Sequence, residues 1–327
     1  MEEIKTYLQP GLELVNNFIN AALQSDIQLL DSTNRSLREH PGKMMRPMLA
    51  LLVAQAAGIA TPPPEDTYRY AAATELLHNA TLLHDDVVDG ATERRGLPTV
   101  ASLLGGSAAV LIGDYWLAKC LRLVLGARRE ADRVLRLFAQ TIGHLTEGEL
   151  LQMQKAASAD TTQADYMRII YGKTASLFES AAMSAALSVG APEPTVRAMG
   201  DFALNLGLAF QIKDDIFDYE EDASSIGKPV GIDLKEQKIT QPLLCALDGA
   251  DAATQKAIRE KVKDIPDHPE YIADVTAFVK ECGGVEKAGK VIDSCTEKAI
   301  SCLEILPESK EKLYLAKLAE FVGRRKK

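Results

Sequence analysis

The chain has 327 residues, 46% of them hydrophobic, which is enough for one large domain or two ordinary ones with a sizeable core. A formal charge of −9 argues against a nucleic-acid binder. The five cysteines form no CxxC pair and are odd in number, which excludes a disulfide framework and a thiolate metal site.

No run of about 18 apolar residues occurs, so no stable membrane span is expected. The beginning, MEEIKTYLQPGLELV, is acidic and amphipathic rather than signal-like, and a reduced, cytoplasmic protein is expected. The hydrophobic period is helical nearly everywhere, and alternating strand patterns with paired turns are missing. Pro62, Pro63 and Pro64 end one helix, and Glu65-Asp66-Thr67 offers an N-cap for the next, predicted over about 67–92. Further helices are predicted near 99–124, 127–157, 164–189 and 195–221, with Gly190-Ala191-Pro192 parting the last two. DASSIGKPVG, 222–231, reads as loop, and beyond residue 233 the helices become shorter and more charged. There is no short internal repeat and no low-complexity linker. The pattern predicts one all-α domain over residues 1–327, a bundle of long helices around one core.

Two stretches carry chemistry. In LLHDDVVD, 82–89, Asp85 and Asp89 stand four apart, one turn from each other on one helix face. Two stacked carboxylates repel unless something positive lies between them. A hard divalent cation such as Mg²⁺ suits them, because it takes oxygen ligands and shares substrate phosphates. Asp86 points about 100° away and is the less certain ligand. A solvated acidic face is the alternative. Arg94 and Arg95 follow at once, where guanidinium forks could grip phosphate oxygens, or simply neutralise the acids. The arrangement returns in FQIKDDIFD, 210–218, with Asp214 and Asp218 four apart, Asp215 between them, and Gln211 three residues before Asp214. Two such clusters on apolar helices predict two helices facing each other across a central cavity, with metal ions between.

At this point the chain resembles the trans-type (all-E) polyprenyl diphosphate synthases over nearly its whole length. The carriers are GKMMRP (42–47), ELLHNATLLHDDVVD (75–89), RRG (94–96), GD (113–114), EGELLQ (147–152), YGKTASLF (171–178), FQIKDDIFD (210–218) and GKPVGIDLKEQKITQP (227–242). HNATLLHDDVVD is most similar to the long-chain branch, of octaprenyl diphosphate synthase type, that makes quinone side chains. There are two departures. His40-Pro41-Gly42 stands where many members lead with Gly-Gly, and EQK at 236–238 stands where Glu-Gly-Lys is usual.

The resemblance implies an enzyme that condenses isopentenyl diphosphate with an allylic diphosphate primer, farnesyl or geranylgeranyl diphosphate, with Mg²⁺ as cofactor. It implies Asp85, Asp89 and Asp214 as direct metal ligands, with Asp86, Asp215 and Asp218 acting directly or through water. Arg94, Lys173 and Lys228 would hold the allylic diphosphate, and Lys238 would also face the leaving group. Lys43, Arg46, His78 and Arg95 would hold isopentenyl diphosphate. Lys43 and Arg46 stand before Pro47 at an expected helix start, where anions are favoured. Lys173-Thr174 and Gln211 would stabilise the allylic cation by their dipoles. No protein nucleophile is needed, and the departed diphosphate is the natural proton acceptor. Water must be kept from the cation, and the 222–231 loop is a candidate lid. A homodimer is implied, with apolar helices near 99–124 as the expected interface. The tail GRRKK, 323–327, is expected to be solvated, or to fold over a bound diphosphate.

Ala80 and Thr81 are small. Counting back from Asp85, Thr81 lies about 40° off its line and about 6 Å below it, Thr74 about 20° off and about 16 Å below. Tight helix packing would explain small residues there. In the family, bulky aromatics at these positions close a shallow pocket, so the small pair implies a deep tunnel and a product of roughly C30–C45. A farnesyl or geranylgeranyl diphosphate synthase is the nearest alternative. A terpene cyclase would carry an Asn/Ser/Glu metal motif on the second helix. A di-iron bundle would need a second Glu-x-x-His beside Glu75-Leu76-Leu77-His78. A non-catalytic helical module would need neither acidic cluster.

Overall fold

The computed structural model describes residues 1–39, 42–58, 62–94, 96–220 and 231–325. In chain order the helices are α1 (Glu2–Ala22), α2 (Gln28–Glu39), α3 (Met45–Ala57), α4 (Glu65–Val88), α5 (Val100–Leu104), α6 (Gly106–Leu125), α7 (Ala131–Ser158) and α8 (Gln163–Ile170). A π-helical turn, Tyr171–Ala175, leads into α9 (Ser176–Ser188), and α10 (Glu193–Phe217) follows. The remainder is α11 (Ile232–Lys235), α12 (Gln241–Asp248), α13 (Ala252–Asp264), α14 (Tyr271–Glu281), α15 (Gly284–Cys302) and α16 (Lys310–Arg324). Two residue pairs form a minimal antiparallel ribbon, β1 (Glu93–Arg94) with β2 (Leu97–Pro98), which the strand pattern did not foretell. Four residues carry too little alternation to read.

The chain forms two compact units: residues 1–139, 180–200 and 305–315, and residues 140–179, 201–304 and 316–327. In the first unit α3 is buried on every side over 47–54, so it has no polar face. Helix α1 is amphipathic instead, burying Ile4, Leu8, Leu12, Val15 and Ile19 at helical spacing. Helix α4 starts two residues earlier than predicted. Pro64 is its N-cap, and Asp66 instead accepts the backbone N–H groups of Arg128 (3.2 Å) and Arg129 (2.9 Å). It also ends earlier, at Val88. Gly90, at φ +62°, closes it, with Gly90 N–H donating to the Val87 carbonyl and Ala91 N–H to that of Asp86. Gly190 (φ +71°) stops α9 in the same way, as the sequence predicted. The single helix expected over 99–124 is two, parted by Gly105 at φ +86°.

In the second unit the helix expected over 164–189 is interrupted by the π turn. The reason lies in its neighbours. A Cβ on Gly172 would stand 2.5 Å from the His144 carbonyl, and one on Gly148 would stand 3.0 Å from the Lys173 nitrogen. A Cβ on Gly207 would meet Ala175 Cα at 2.6 Å. Backbones of α7 and α10 therefore approach this turn at distances only glycine permits. The Ser176 hydroxyl donates to the Gly172 carbonyl (2.7 Å) and stabilises the widened turn. Helix α10 stops at Phe217 rather than 221, and α15 runs for 19 residues, longer than the C-terminal pattern suggested.

Candidate active site

In the first unit α4 carries Asp85 and Asp89, half-buried and exposed, one turn apart. Between them Asp86 is turned into the protein, where it accepts from Arg94 Nε at 2.7 Å. The β1–β2 ribbon thus returns the chain so that Arg94 reaches back to its own acidic helix. Arg46 sits in the first turn of α3, after Met44 in the left-handed region (φ 52°), and Lys43 outside the helix is exposed. Burial lowers the Arg46 guanidinium to about 10 against the opposing pull of Glu75, so it stays charged at neutral pH. His78 is half-buried on α4. Ala80 is buried, and the Thr81 hydroxyl turns back to donate to the His78 carbonyl at 2.8 Å, so neither projects bulk from the helix. His84, next to Asp85, lies against Gly113, where a Cβ would stand 2.3 Å from its Nε2, and pairs with Asp114 at 3.3 Å. This gives the GD motif a packing role. Another face of α4, with Asn79, Leu82, Leu83 and Asp86, borders a largely apolar cavity of about 520 Å³.

In the second unit the expected catalytic residues come together. The Thr174 hydroxyl donates to Gln211 Oε1 at 2.7 Å, and Gln211 Nε2 donates to Asp215 Oδ1 at 2.9 Å. Tyr166 donates to the other Asp215 oxygen at 2.5 Å. Lys173 pairs with Glu149 at 2.5 Å. Lys173, Gln211, Asp215 and Lys238 border one cavity of about 160 Å³, together with Tyr166 and Asp233. Burial pushes the carboxyls of Asp215 and Asp233 up, Asp215 against the lowering effect of its Tyr166 and Gln211 hydrogen bonds.

The other two acids of the second cluster differ from this one. Asp218 lies just past α10 and accepts the N–H groups of Ile232 (3.0 Å) and Asp233 (2.9 Å), capping α11. Asp214 is half-exposed and pairs with Arg325 Nη2 at 2.7 Å. Arg325 belongs to the tail expected to be solvated, and it is buried. Arg95, Lys228 and the candidate lid, except Gly231, lie outside the described residues.

Glu149, Tyr166, Asp233 and Arg325 were missed as site residues. Glu149 and Asp233 fall inside quoted motifs, EGELLQ and GIDLKEQK. Tyr166 sits in no motif, and only the fold reveals it. Among the described residues no three His, Cys, Asp or Glu side chains could hold an ion on their own. Asp85, Asp89 and Asp214 nonetheless fit a hard divalent ion that draws its remaining ligands from phosphate and water, being accessible, all-oxygen donors.

A family model described as polyprenyl synthetase matches residues 27–279. The octaprenyl diphosphate synthase of Haemophilus influenzae is 36% identical over 98% of this chain and 95% of its own. The crystal structure of a polyprenyl synthase from Caulobacter crescentus, complexed with calcium and isoprenyl diphosphate, matches with a TM-score of 0.88, 30% identity and 99% and 97% coverage of the two chains. A geranylgeranyl pyrophosphate synthetase from Pyrococcus horikoshii matches with a TM-score of 0.90, 29% identity and 99% coverage of both. The fold is therefore the all-α helical bundle characteristic of isoprenoid synthases. Relatives of different product length match about equally well.

Proposed function

The chain belongs to the polyprenyl synthetase family, as a trans-type prenyltransferase that joins isopentenyl diphosphate to an allylic diphosphate, and from that premise we propose that it makes a long-chain all-trans polyprenyl diphosphate, for quinone side chains. The observation that supports the chain length is Thr81, one turn below Asp85, whose hydroxyl turns back to the His78 carbonyl, with the small, buried Ala80 next to it on the helix. By the family resemblance, small residues there imply a deep tunnel and a product of roughly C30–C45, with Thr81 about 6 Å along the helix from Asp85.

Asp85, Asp89 and Asp214 are the metal ligands in this reading, with Asp86, Asp215 and Asp218 acting through what they hold in place or through water. Mg²⁺, when bound there, would supply Lewis-acid stabilisation of the departing diphosphate. Arg94, Lys173, Lys228 and Lys238 bind the allylic diphosphate. Lys43, Arg46, His78 and Arg95 bind isopentenyl diphosphate, and Arg46 keeps its charge for that purpose despite its burial. Lys173, Thr174 and Gln211 present oriented dipoles where positive charge develops. The buried Asp215 fixes the Gln211 amide, so the dipole needs no reorganisation as the reaction proceeds.

Exposed leucines on α5 and α6, Leu103 at 67% and Leu111 at 68%, support these helices as the face of a homodimer. No helix among the described residues is long and apolar enough to cross a membrane. Incubation with labelled isopentenyl diphosphate, Mg²⁺ and farnesyl or geranylgeranyl diphosphate, followed by chromatography of the products, tests the reading. Chains beyond C20 are expected. A product that stops at C15 or C20 sinks the long-chain assignment and leaves the family intact.

A further inference from the structure

Arg325 follows α16, and its side chain is only 7% exposed. One nitrogen, Nη2, donates both to the Phe210 carbonyl (2.9 Å) and to Asp214 Oδ1 (2.7 Å). The guanidinium carbon lies 3.8 Å from the Phe210 ring centroid and 5.4 Å from that of Phe217. Phe210, Asp214 and Phe217 occur at positions i, i+4 and i+7 of α10, one stripe of the helix. The guanidinium therefore lies over the Phe210 ring, with Phe217 farther off on the same stripe.

Taking a guanidinium out of water is costly, and a hydrophobic side chain could cover two phenylalanines without that cost. The charge is therefore matched to Asp214. The exposures of the partners differ sharply, 7% for the arginine and 42% for the aspartate. A competitor for the metal's place would sit on the solvent side of the carboxylate. Arg325 is instead the buried member of the pair, and the Asp214 side chain stays 42% exposed. Metal-binding carboxylates are commonly oriented by such hydrogen bonds.

We propose that Arg325 is a positioning residue for Asp214, fixing one carboxylate oxygen so that the aspartate meets a divalent ion in a single orientation. This rests on the reading of Asp214 as a metal ligand. A lysine would not substitute, because it lacks the planar group that stacks on Phe210 while serving two acceptors.

The test is a titration of the full chain with Mn²⁺ in the presence of inorganic diphosphate, the free ion being followed by its electron paramagnetic resonance. Arg325→Met keeps the packing over the rings and removes the N–H groups. It should melt near wild type without metal and bind Mn²⁺ about 10–100-fold more weakly. Arg325→Lys should stay weakened. Wild-type or tighter binding by a folded Arg325→Met, or full recovery in Arg325→Lys, overturns the proposal, and tighter binding would mark the arginine as a competitor. Where Arg325→Met does not fold, Phe210→Leu decides. Removing the ring beneath the guanidinium should weaken Mn²⁺ binding in the same direction, and unchanged binding overturns the proposal. Asp214→Asn separates the two failures. If it binds Mn²⁺ as wild type does, the ligand assignment itself has failed. If it is defective while Arg325→Met is not, only the positioning role has failed.

Discussion

The two acidic clusters read alike in sequence, and the fold treats them differently. In each, the middle aspartate is buried and the first is half-exposed. Asp86 is held by a cation, Arg94, brought back by the short ribbon. Asp215 is held by the neutral donors Tyr166 and Gln211, and burial pushes its carboxyl up. The third aspartates diverge as well. Asp89 is exposed at the end of α4, whereas Asp218 is half-buried and accepts the N–H groups that open α11. A repeated motif therefore need not mean repeated roles. In this molecule the buried middle carboxylates each hold a neighbour: an arginine in one cluster, a glutamine amide in the other.

The largest expected effect falls on the accessible residues. Asp85→Ala and Asp214→Asn should each lower kcat by orders of magnitude while the fold survives, since Asp85 does not fill the core and an asparagine at 214 keeps an acceptor for the buried Arg325. Steady-state kinetics with circular dichroism checks this, and near-normal turnover in either folded variant removes that ligand from the account. Next comes the cation-held aspartate. If Asp86 acts by aiming Arg94, Asp86→Ala and Arg94→Ala should each raise KM for the allylic primer, and the double variant should be little worse than either. A coupling of roughly 0.5–3 kcal/mol is expected for groups in direct contact. Additive losses would mean that the two act independently.

Much of this was legible before the fold. Gly190 announced one helix end, whereas Gly90 stops α4 short of the residue 92 that the periodicity suggested, and Lys173, Gln211 and Asp215, which the resemblance singled out, border one cavity. What the sequence hid has physical causes. The π turn depends on how closely Gly148 and Gly207 let other backbones approach, a property of pairs far apart in the chain. The capping by Asp218 joins segments that a periodicity reading treats separately. Arg325 looked like one more basic tail residue, because burial is decided by the stripe of Phe210 and Phe217 it lies on. Tyr166 gives no local sign that its hydroxyl serves an aspartate 49 residues away.

A smaller effect follows from that tyrosine. Tyr166→Phe leaves one oxygen of buried Asp215 without its donor, at a cost of about 1–3 kcal/mol. A fall of a few degrees in Tm is expected, with kcat reduced more than KM because the Gln211 dipole is less firmly held. Unchanged stability and kcat would mean that the hydrogen bond does not matter to the second cluster. The smallest effect concerns the start of α8, the helix that carries Tyr166. Asp165 joins Thr162 in a capping box and pairs with Lys155, and the Thr162 hydrogen bonds lead in holding its carboxyl down to about 2. Its folded value lies below its unfolded one, so the stability it contributes is present above about pH 4 and is lost as pH falls toward about 2. Asp165→Asn should flatten the stability profile in that window, measured by denaturant melts at successive pH values. A parallel profile contradicts the assignment.

The most direct test of the whole account is the product of Thr81→Phe set beside that of wild type. An aromatic ring one turn below Asp85, about 6 Å along the helix, should close the path of the growing chain and leave the diphosphate sites untouched. Wild type should release chains of roughly C30–C45, and the variant should complete its first condensations and stop at about C15–C20. Product length that is the same in both proteins would contradict the claim that the chain grows along this face of α4.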